Sequence, residues 1–177
     1  LEKHTSGPFF PAKQTFPTIM KRYFKLTFLI FALFLSGCQT GPSARDVAKA
    51  RAAMEEEIRH EKPGSYFIGR RYYKIDYKMW GYLRKPGESW IDSRLVVLNE
   101  DKTYSPDRAC NAIGSDNGFE YKISGRFSGQ DVYEPASNGT YPEFILERAE
   151  LISKTPGPIF KNRKALDPKE RYYPNPY

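Results

Sequence analysis

A period-two alternation of apolar and polar side chains restricts the fold of this chain more than any other feature. The alternation begins after Tyr66 and continues to Arg84. Its apolar face comprises Tyr73, Ile75, Tyr77, Met79 and Leu83. Because successive side chains of a strand point to opposite faces, the pattern predicts one long, half-buried strand, with a bend or bulge at Gly81.

Three further stretches predict the remainder of a β domain. Residues 93–99 form a compact apolar run typical of a buried strand, and residues 119–127 alternate again. Residues 128–131, with the sequence SGQD, predict a turn. Residues 142–152 predict a last strand with a bulge near Arg148, although the end of this stretch is also compatible with a helix.

These stretches predict four or five strands within about 90 residues, at residues 65–152. Long helices do not alternate with the strands, which argues against a parallel βαβ sheet. The predicted fold is therefore mainly β, a small antiparallel barrel or sandwich, and the aromatic fraction of 15% suits it. The long bent strand and short hairpins resemble an OB-type barrel.

One helix is predicted before the β domain. Ser43, with Asp46 three residues later, resembles a capping box, and Pro63 with Gly64 ends the pattern. Apolar residues recur at helical spacing at Val47, Ala50, Met54 and Ile58. We expect residues 38–64 to form a spacer and a tether helix that packs on the domain, because the helix spans too few heptads for a coiled-coil seam.

Residues 153–177 contain five prolines and many charges. This composition predicts an irregular tail, extended or disordered. Ile159 and Phe160 are the residues expected to hold it along the barrel.

An uncharged apolar run occupies residues 26–35, directly after a basic cluster that includes Lys21, Arg22 and Lys25. A helix needs about 20 apolar residues to cross a bilayer, so this run is too short to span one. Its length is that of a signal-peptide core, and residues 20–37 are predicted to be a signal peptide. Residues 1–19 are predicted to be a leader or start-site extension.

The residues that follow the run, Leu35-Ser36-Gly37-Cys38, resemble the lipobox of bacterial lipoproteins. In that family a diacylglyceryl group is joined to the Cys sulfur, and signal peptidase II cuts before the Cys. The resemblance implies cleavage between Gly37 and Cys38, a covalent lipid on Cys38 and anchoring to an envelope membrane. Gln39, in place of the Asp that marks retention in the inner membrane, implies the outer membrane, facing the periplasm. The alternative is a buried core segment that ends in an incidental Cys.

The formal net charge of the whole chain is +7, which suggests nucleic acid as a partner. Removal of residues 1–37 would remove five basic residues and one acid, leaving a net charge of +3. Much of the basicity therefore belongs to the export segment, and no nucleic-acid partner is predicted.

Few residues are available for metal or nucleophilic chemistry. The chain has two His and two Cys, and the mature protein would keep only His60 and Cys110 besides the lipidated Cys38. A zinc site needs three or four ligands, so no metal and no cofactor are predicted. No phosphate-binding loop or nucleophile elbow occurs, and no enzyme activity is predicted. Cys110 is expected to be buried, with an intermolecular disulfide as the alternative.

The polar face of the predicted first strand offers one hint of binding. Trp80 and Tyr82 alternate there with Lys78 and Arg84, and Trp90 follows nearby. On an OB-type barrel such a face can stack sugars or bases, so these five residues are the candidate ligand-binding face. The alternative is that the aromatic rings pack under the helix or the tail.

The leading hypothesis is a bacterial envelope lipoprotein with a non-catalytic β domain that binds or scaffolds another envelope component, a glycan or a protein. The alternative is an enzyme or enzyme accessory that acts on envelope polysaccharide through carboxylates. Exposed Trp80 and Tyr82 beside an open groove would favour binding. Two facing acids about 5–9.5 Å apart would favour the enzyme.

Overall fold

The computed structural model describes residues 43–177, and the predictions for the leader, the signal peptide and Cys38 lie outside the described residues. The helices are α1 (Ala44–Arg59) and α2 (Pro106–Ala109), with 3₁₀ helices at Trp90–Asp92 and Arg163–Leu166. The strands are β1 (Phe67–Arg71), β2 (Gly81–Arg84), β3 (Arg94–Asn99), β4 (Glu120–Glu134) and β5 (Gly139–Ser153).

The five strands close into a barrel in the order β1–β2–β3–β5–β4, with β4 paired back to β1. This arrangement confirms a mainly β fold, a small OB-like barrel preceded by one helix. All pairs are antiparallel except β3 with β5, which are parallel. The exception follows from the pairing of β4 with β1, because this pairing sets the direction of β4 and its hairpin partner β5 then runs in the direction of β3.

The prediction of one continuous strand after Tyr66 is wrong, because two strands form from this stretch. β1 and β2 are antiparallel neighbours with Arg71 opposite Gly81, and residues 72–80 reverse the chain between them. Ile75, in this reversal, is 56% exposed. Tyr72, Lys74, Tyr77 and Met79 are buried, so burial in the reversal changes phase between residues 74 and 77 and does not follow the predicted alternation.

The predicted irregularity at Gly81 is confirmed. The Trp80 N–H donates to the Val96 carbonyl over 2.9 Å, and Val96 is also the residue opposite Gly81. Trp80 and Gly81, at the start of β2, are thus both opposite Val96, as in a β-bulge. A Cβ at Gly81 would collide with the Arg70 carbonyl oxygen, so glycine is required where the strands approach. The bulge changes which face of the sheet Trp80 occupies.

The predicted turn at residues 128–131 is wrong, because β4 continues through them to Glu134. The chain reverses at residues 135–138 instead. The register between β4 and β5 is irregular from Phe127 to Asp131. Gly129, with a φ of +84°, takes up that irregularity within the strand, so no reversal is needed there.

The predicted last strand and its bulge are both confirmed in β5. Ser124 pairs with Arg148, whereas the next residue of β4, Gly125, pairs with Leu146. Glu147 is therefore left without an opposite residue, next to Arg148. Because the whole stretch lies within β5, the helical alternative is excluded.

Two apolar clusters hold the fold together. The inner cluster fills the barrel and consists of Trp80, Leu83, Val96, Tyr121, Ile123, Phe144 and Leu146. The outer cluster lies between the barrel wall and the segments that cover it, and consists of Met54, Ile58, Ile68, Tyr72, Tyr82, Trp90, Ile159, Phe160 and Ala165. Alternate residues of β1 and β2 pack into the inner and the outer cluster, so both sides of these strands are buried.

Helix α1 begins and packs largely as the sequence predicts. The Ser43 hydroxyl accepts the Asp46 N–H over 3.2 Å, and the Asp46 carboxylate accepts the Ser43 N–H over 3.1 Å, which completes the capping box. Met54 and Ile58 enter the outer cluster, whereas Ala50 is exposed. The helix is therefore fastened to the barrel through its C-terminal half.

The tail after β5 packs on the barrel and on α1. Ile159 and Phe160 are buried in the outer cluster, as predicted. Phe160 contacts the rings of Tyr72 and Tyr82, with both centroid separations at 5.5 Å. The tail thus covers the outer side of β1 and β2.

Candidate functional site

Four of the five residues predicted to form an exposed binding face are buried. Trp80, Tyr82, Arg84 and Trp90 are each at most 4% exposed, and only Lys78 is exposed. The prediction of an open face is therefore wrong, because α1 and the tail cover the outer side of β2. The alternative interpretation is confirmed for Tyr82 and Trp90, which pack beneath these segments, whereas Trp80 lies inside the barrel.

Trp90 joins the barrel to α1. Two guanidinium groups contact its ring, that of Arg70 at 5.0 Å and that of Arg84 at 4.7 Å from the ring centroid. Arg84 also donates to both carboxylate oxygens of Glu61 over 2.6 Å, which fixes the chain just after α1. These residues of the predicted face therefore hold the helix on the barrel and are inaccessible to a ligand.

Tyr82 and Tyr72 use their hydroxyl groups to hold the tail. The Tyr82 hydroxyl donates to the Pro174 carbonyl over 2.5 Å, and the Tyr72 hydroxyl donates to the Tyr172 carbonyl. Burial, and then the neighbouring tyrosines, raise the pKa of both phenols above its ordinary value. Both hydroxyls therefore remain protonated donors throughout the neutral pH range.

A groove of about 530 Å³ remains open beside the tail, on the outer face of β2 and β3. We call it the aromatic groove, and its walls include Tyr82, Ile91, Leu95, Tyr141, Tyr173 and Pro176. The rings of Tyr141 and Tyr173 are perpendicular with centroids 6.2 Å apart, and Ile91 at the rim is 66% exposed. Apolar walls with a few hydroxyl groups suit the faces of sugars or proline rings.

The position of the aromatic groove coincides with the ligand-binding face of OB barrels, which comprises strands 2 and 3 and the loops at one end. Two of those loops, residues 72–80 and residues 135–138, are joined here by Glu134. Its carboxylate accepts the N–H groups of Ala136 over 3.1 Å and Ser137 over 2.7 Å. Burial would raise the pKa of Glu134, but these bonds and one from the Lys78 N–H hold it below its ordinary value. The end of the groove next to Tyr141 is thus held rigidly.

Sequence reasoning missed Tyr141 and Tyr173 as groove residues. Tyr141 follows a turn, and Tyr173 belongs to a tail that the composition predicts to be irregular. The repetition of Tyr and Pro in the last six residues is the one signal that pointed to this segment. This repetition has neither a strand nor a helix period, so it does not predict which surface the segment packs against.

A second cleft, of about 500 Å³, lies where α2 covers the end of the barrel, and Lys78 and Trp80 line part of it. Behind it Arg71 is buried and paired with two acids. Its Nη2 lies 3.0 Å from Asp107 Oδ2, and its Nε lies 3.2 Å from Asp116 Oδ1. Tyr121 donates to the other oxygen of Asp116 over 3.0 Å.

The two acids have opposite pKa shifts. Burial would raise the pKa of Asp107, but the charge of Arg71 and bonds from Gly114 and Ser105 outweigh it and lower the value. Burial raises the pKa of Asp116, and the nearby Asp107 charge adds to this. Both carboxylates are almost fully buried, so together with Arg71 they form a buried charged cluster that closes the end of the barrel.

The remaining chemical candidates also have structural surroundings. Asp116 and Asn117 belong to the turn at residues 114–118, and Asn117 accepts the Tyr73 N–H over 2.8 Å. Among residues 43–177, no three His, Cys, Asp or Glu side chains are grouped to hold a metal ion. Cys110 is exposed, which corrects the expectation of burial, because the short α2 ends at the surface.

Comparisons with known proteins add no identification, since no family model, curated protein or solved structure matches the chain. Within the described part, neither helix has the length and hydropathy needed to cross a bilayer. The aromatic groove is therefore the candidate site, on the basis of its geometry and its place in the barrel.

Proposed function

We propose that the protein is a lipid-anchored lipoprotein of the bacterial envelope, with a barrel that serves as a non-catalytic binding or scaffolding domain. The anchor is Cys38, preceded by the signal peptide at residues 20–37. The barrel is held by the tether helix at the periplasmic face of the outer membrane. The ligand is an envelope component, a glycan or a protein, and nucleic acid is not a partner.

The observation that carries the binding role is the aromatic groove. It combines three tyrosine rings with apolar walls on the strand 2 and 3 face of an OB-like barrel. Catalysis by two carboxylates would need acids that face an open groove. The buried acids Asp107 and Asp116 are both paired with Arg71.

Anchoring is tested by the change Cys38→Ala. We expect the variant to accumulate as an unprocessed, unlipidated precursor, because the thiol is the only group that can accept the lipid. Intact-mass spectrometry and metabolic labelling with a fatty acid measure this directly. Globomycin should produce the same block in processing of the wild type. Wild-type protein that is soluble and carries no added mass would refute the anchor.

Binding is tested by the change Tyr141→Ala. We expect about tenfold less envelope component to co-purify with the intact lipoprotein from detergent-solubilised membranes, because one aromatic wall of the groove is lost. Tyr104→Ala is the matched control, since Tyr104 is 60% exposed and lies outside the aromatic groove. Equal recovery with both variants would exclude the aromatic groove as the binding site.

A further inference from the structure

The last six residues of the chain occupy part of the candidate site. We call residues 172–177 the C-terminal segment. Two barrel hydroxyls donate to its backbone, Tyr72 to the carbonyl of Tyr172 and Tyr82 to that of Pro174. These carbonyls are two residues apart, as expected for groups on one side of an extended chain. The barrel thus contacts the segment through backbone groups that any extended peptide carries.

Burial within the C-terminal segment alternates. Pro174 and Pro176 are buried, whereas Tyr173 and Asn175 are exposed. Proline has no N–H, so burial of these two residues leaves no backbone donor without a partner. Buried proline rings and tyrosine hydroxyls that donate to carbonyls are contacts by which an aromatic groove can bind an extended, proline-containing peptide.

The C-terminal segment is attached to the domain as a tethered ligand would be. Tyr177 anchors its end: the N–H donates to the Ile159 carbonyl over 3.2 Å, and the hydroxyl donates to that of Pro158 over 2.8 Å. The Arg51 guanidinium lies over the Tyr177 ring, 3.0 Å from its centroid. Residues 169–171, which precede the segment, are exposed. Because residues 171–177 belong to no strand or helix, the segment can leave without opening the barrel.

The C-terminal segment does not fill the aromatic groove. The volume of about 530 Å³ extends from Pro176 to Leu95 and Tyr141 on the barrel. This free space continues the surface that already accepts two prolines. A peptide longer than the segment would have further apolar contacts there than the segment itself has.

We propose that the barrel surface beneath residues 172–177, together with the adjoining part of the aromatic groove on β2 and β3, is a docking site for an extended, proline- and tyrosine-containing peptide segment of a partner protein, and that residues 172–177 are its resident occupant. This proposal rests on the binding role proposed above and specifies the ligand as a peptide. The resident segment competes with the partner at a high effective concentration, since its exposed linker keeps it beside the groove. Docking of the partner therefore requires displacement of the segment.

The test measures binding of a fluorescently labelled peptide, Tyr-Tyr-Pro-Asn-Pro-Tyr, by fluorescence anisotropy. The first protein is a full-length variant in which residues 172–177 are replaced by glycine and serine, and its fold is checked by circular dichroism. We expect it to bind the peptide at least tenfold more tightly than the wild type does. Adding Tyr82→Phe should weaken that binding severalfold, since one donor is lost while the ring remains.

A control peptide and a second protein variant test the role of the two prolines. A peptide with alanine at both proline positions should bind at least fivefold more weakly than the original. If the replaced tail prevents folding, the full-length variant Pro174→Ala/Pro176→Ala takes its place and should bind the original peptide more tightly than the wild type. Absence of peptide binding to a folded variant overturns the proposal.

Other occupants would also give a defined result. If soluble peptidoglycan fragments bind the tail-replaced variant and the peptide does not, the peptide proposal fails while the binding role stands. If the wild type is a dimer that the tail replacement converts to a monomer, the occupant is the segment of a second copy, and the partner-protein proposal is wrong.

Discussion

Replacement of Trp90 by alanine is expected to lower the free energy of unfolding by about 3–5 kcal/mol. Trp90 has no exposed surface, and its loss would leave a cavity in the outer cluster. The guanidinium groups of Arg70 and Arg84 would lose their contacts with the ring. Urea denaturation followed by far-ultraviolet circular dichroism measures the change without relying on tryptophan fluorescence.

The neighbouring residue in the same 3₁₀ helix is the matched control. Ile91 is 66% exposed, so Ile91→Ala should change the free energy of unfolding by less than about 0.5 kcal/mol. Trp90→Phe should give an intermediate loss. Similar losses for Trp90→Ala and Ile91→Ala would show that Trp90 does not connect the helix to the barrel.

Replacement of Arg71 by methionine is expected to cost about 3–5 kcal/mol of stability at pH 7. The change leaves Asp107 and Asp116 buried without the cation that both contact. Arg126→Met is the control, because Arg126 is an exposed residue of the barrel wall, and its effect should be within about 0.5 kcal/mol. Thermal and urea denaturation of the three proteins provide the comparison.

The pH dependence distinguishes lost charge pairing from lost packing. In the wild type the pKa of Asp107 lies below its ordinary value, so its contribution is present at neutral pH and is lost as the pH falls from about 4 through the folded pKa. Without Arg71, burial raises the pKa of both acids, and their protonation at low pH relieves the destabilisation. The deficit of Arg71→Met should therefore be smaller at pH 4 than at pH 7.

A second substitution checks the same point. Asp116→Asn in the Arg71→Met background should recover part of the stability at pH 7, since one uncompensated carboxylate is removed. A deficit that is equal at both pH values, with no recovery in the double variant, would assign the effect of Arg71 to packing alone.

Local patterns predicted those elements whose residues act within a few positions of one another. The capping box at Ser43 and Asp46, the apolar run in β3 and the bulge beside Arg148 were all visible in sequence. Each depends on neighbouring residues or on the period of a single element. The OB-like barrel followed from the number and spacing of such elements rather than from any one of them.

The candidate site was less predictable, because it depends on pairing between distant residues. The alternation treated Trp80, Tyr82 and Arg84 as one exposed face. The bulge at Gly81 places Trp80 inside the barrel, and residues more than 70 positions later cover Tyr82. No local pattern records which side of a strand a distant segment will cover.

The sequence by itself determined the strand-rich composition of the domain and the start of α1, and it predicts an anchor at Cys38, because periodicity, capping and short motifs are local properties. Only the tertiary structure decided that the predicted binding face is buried, that Cys110 is exposed and that the aromatic groove forms between β2, β3 and the C-terminal segment. The physical reason is that burial depends on which distant segments pack together. Barrel closure and the docking of the tail set that packing over the whole chain.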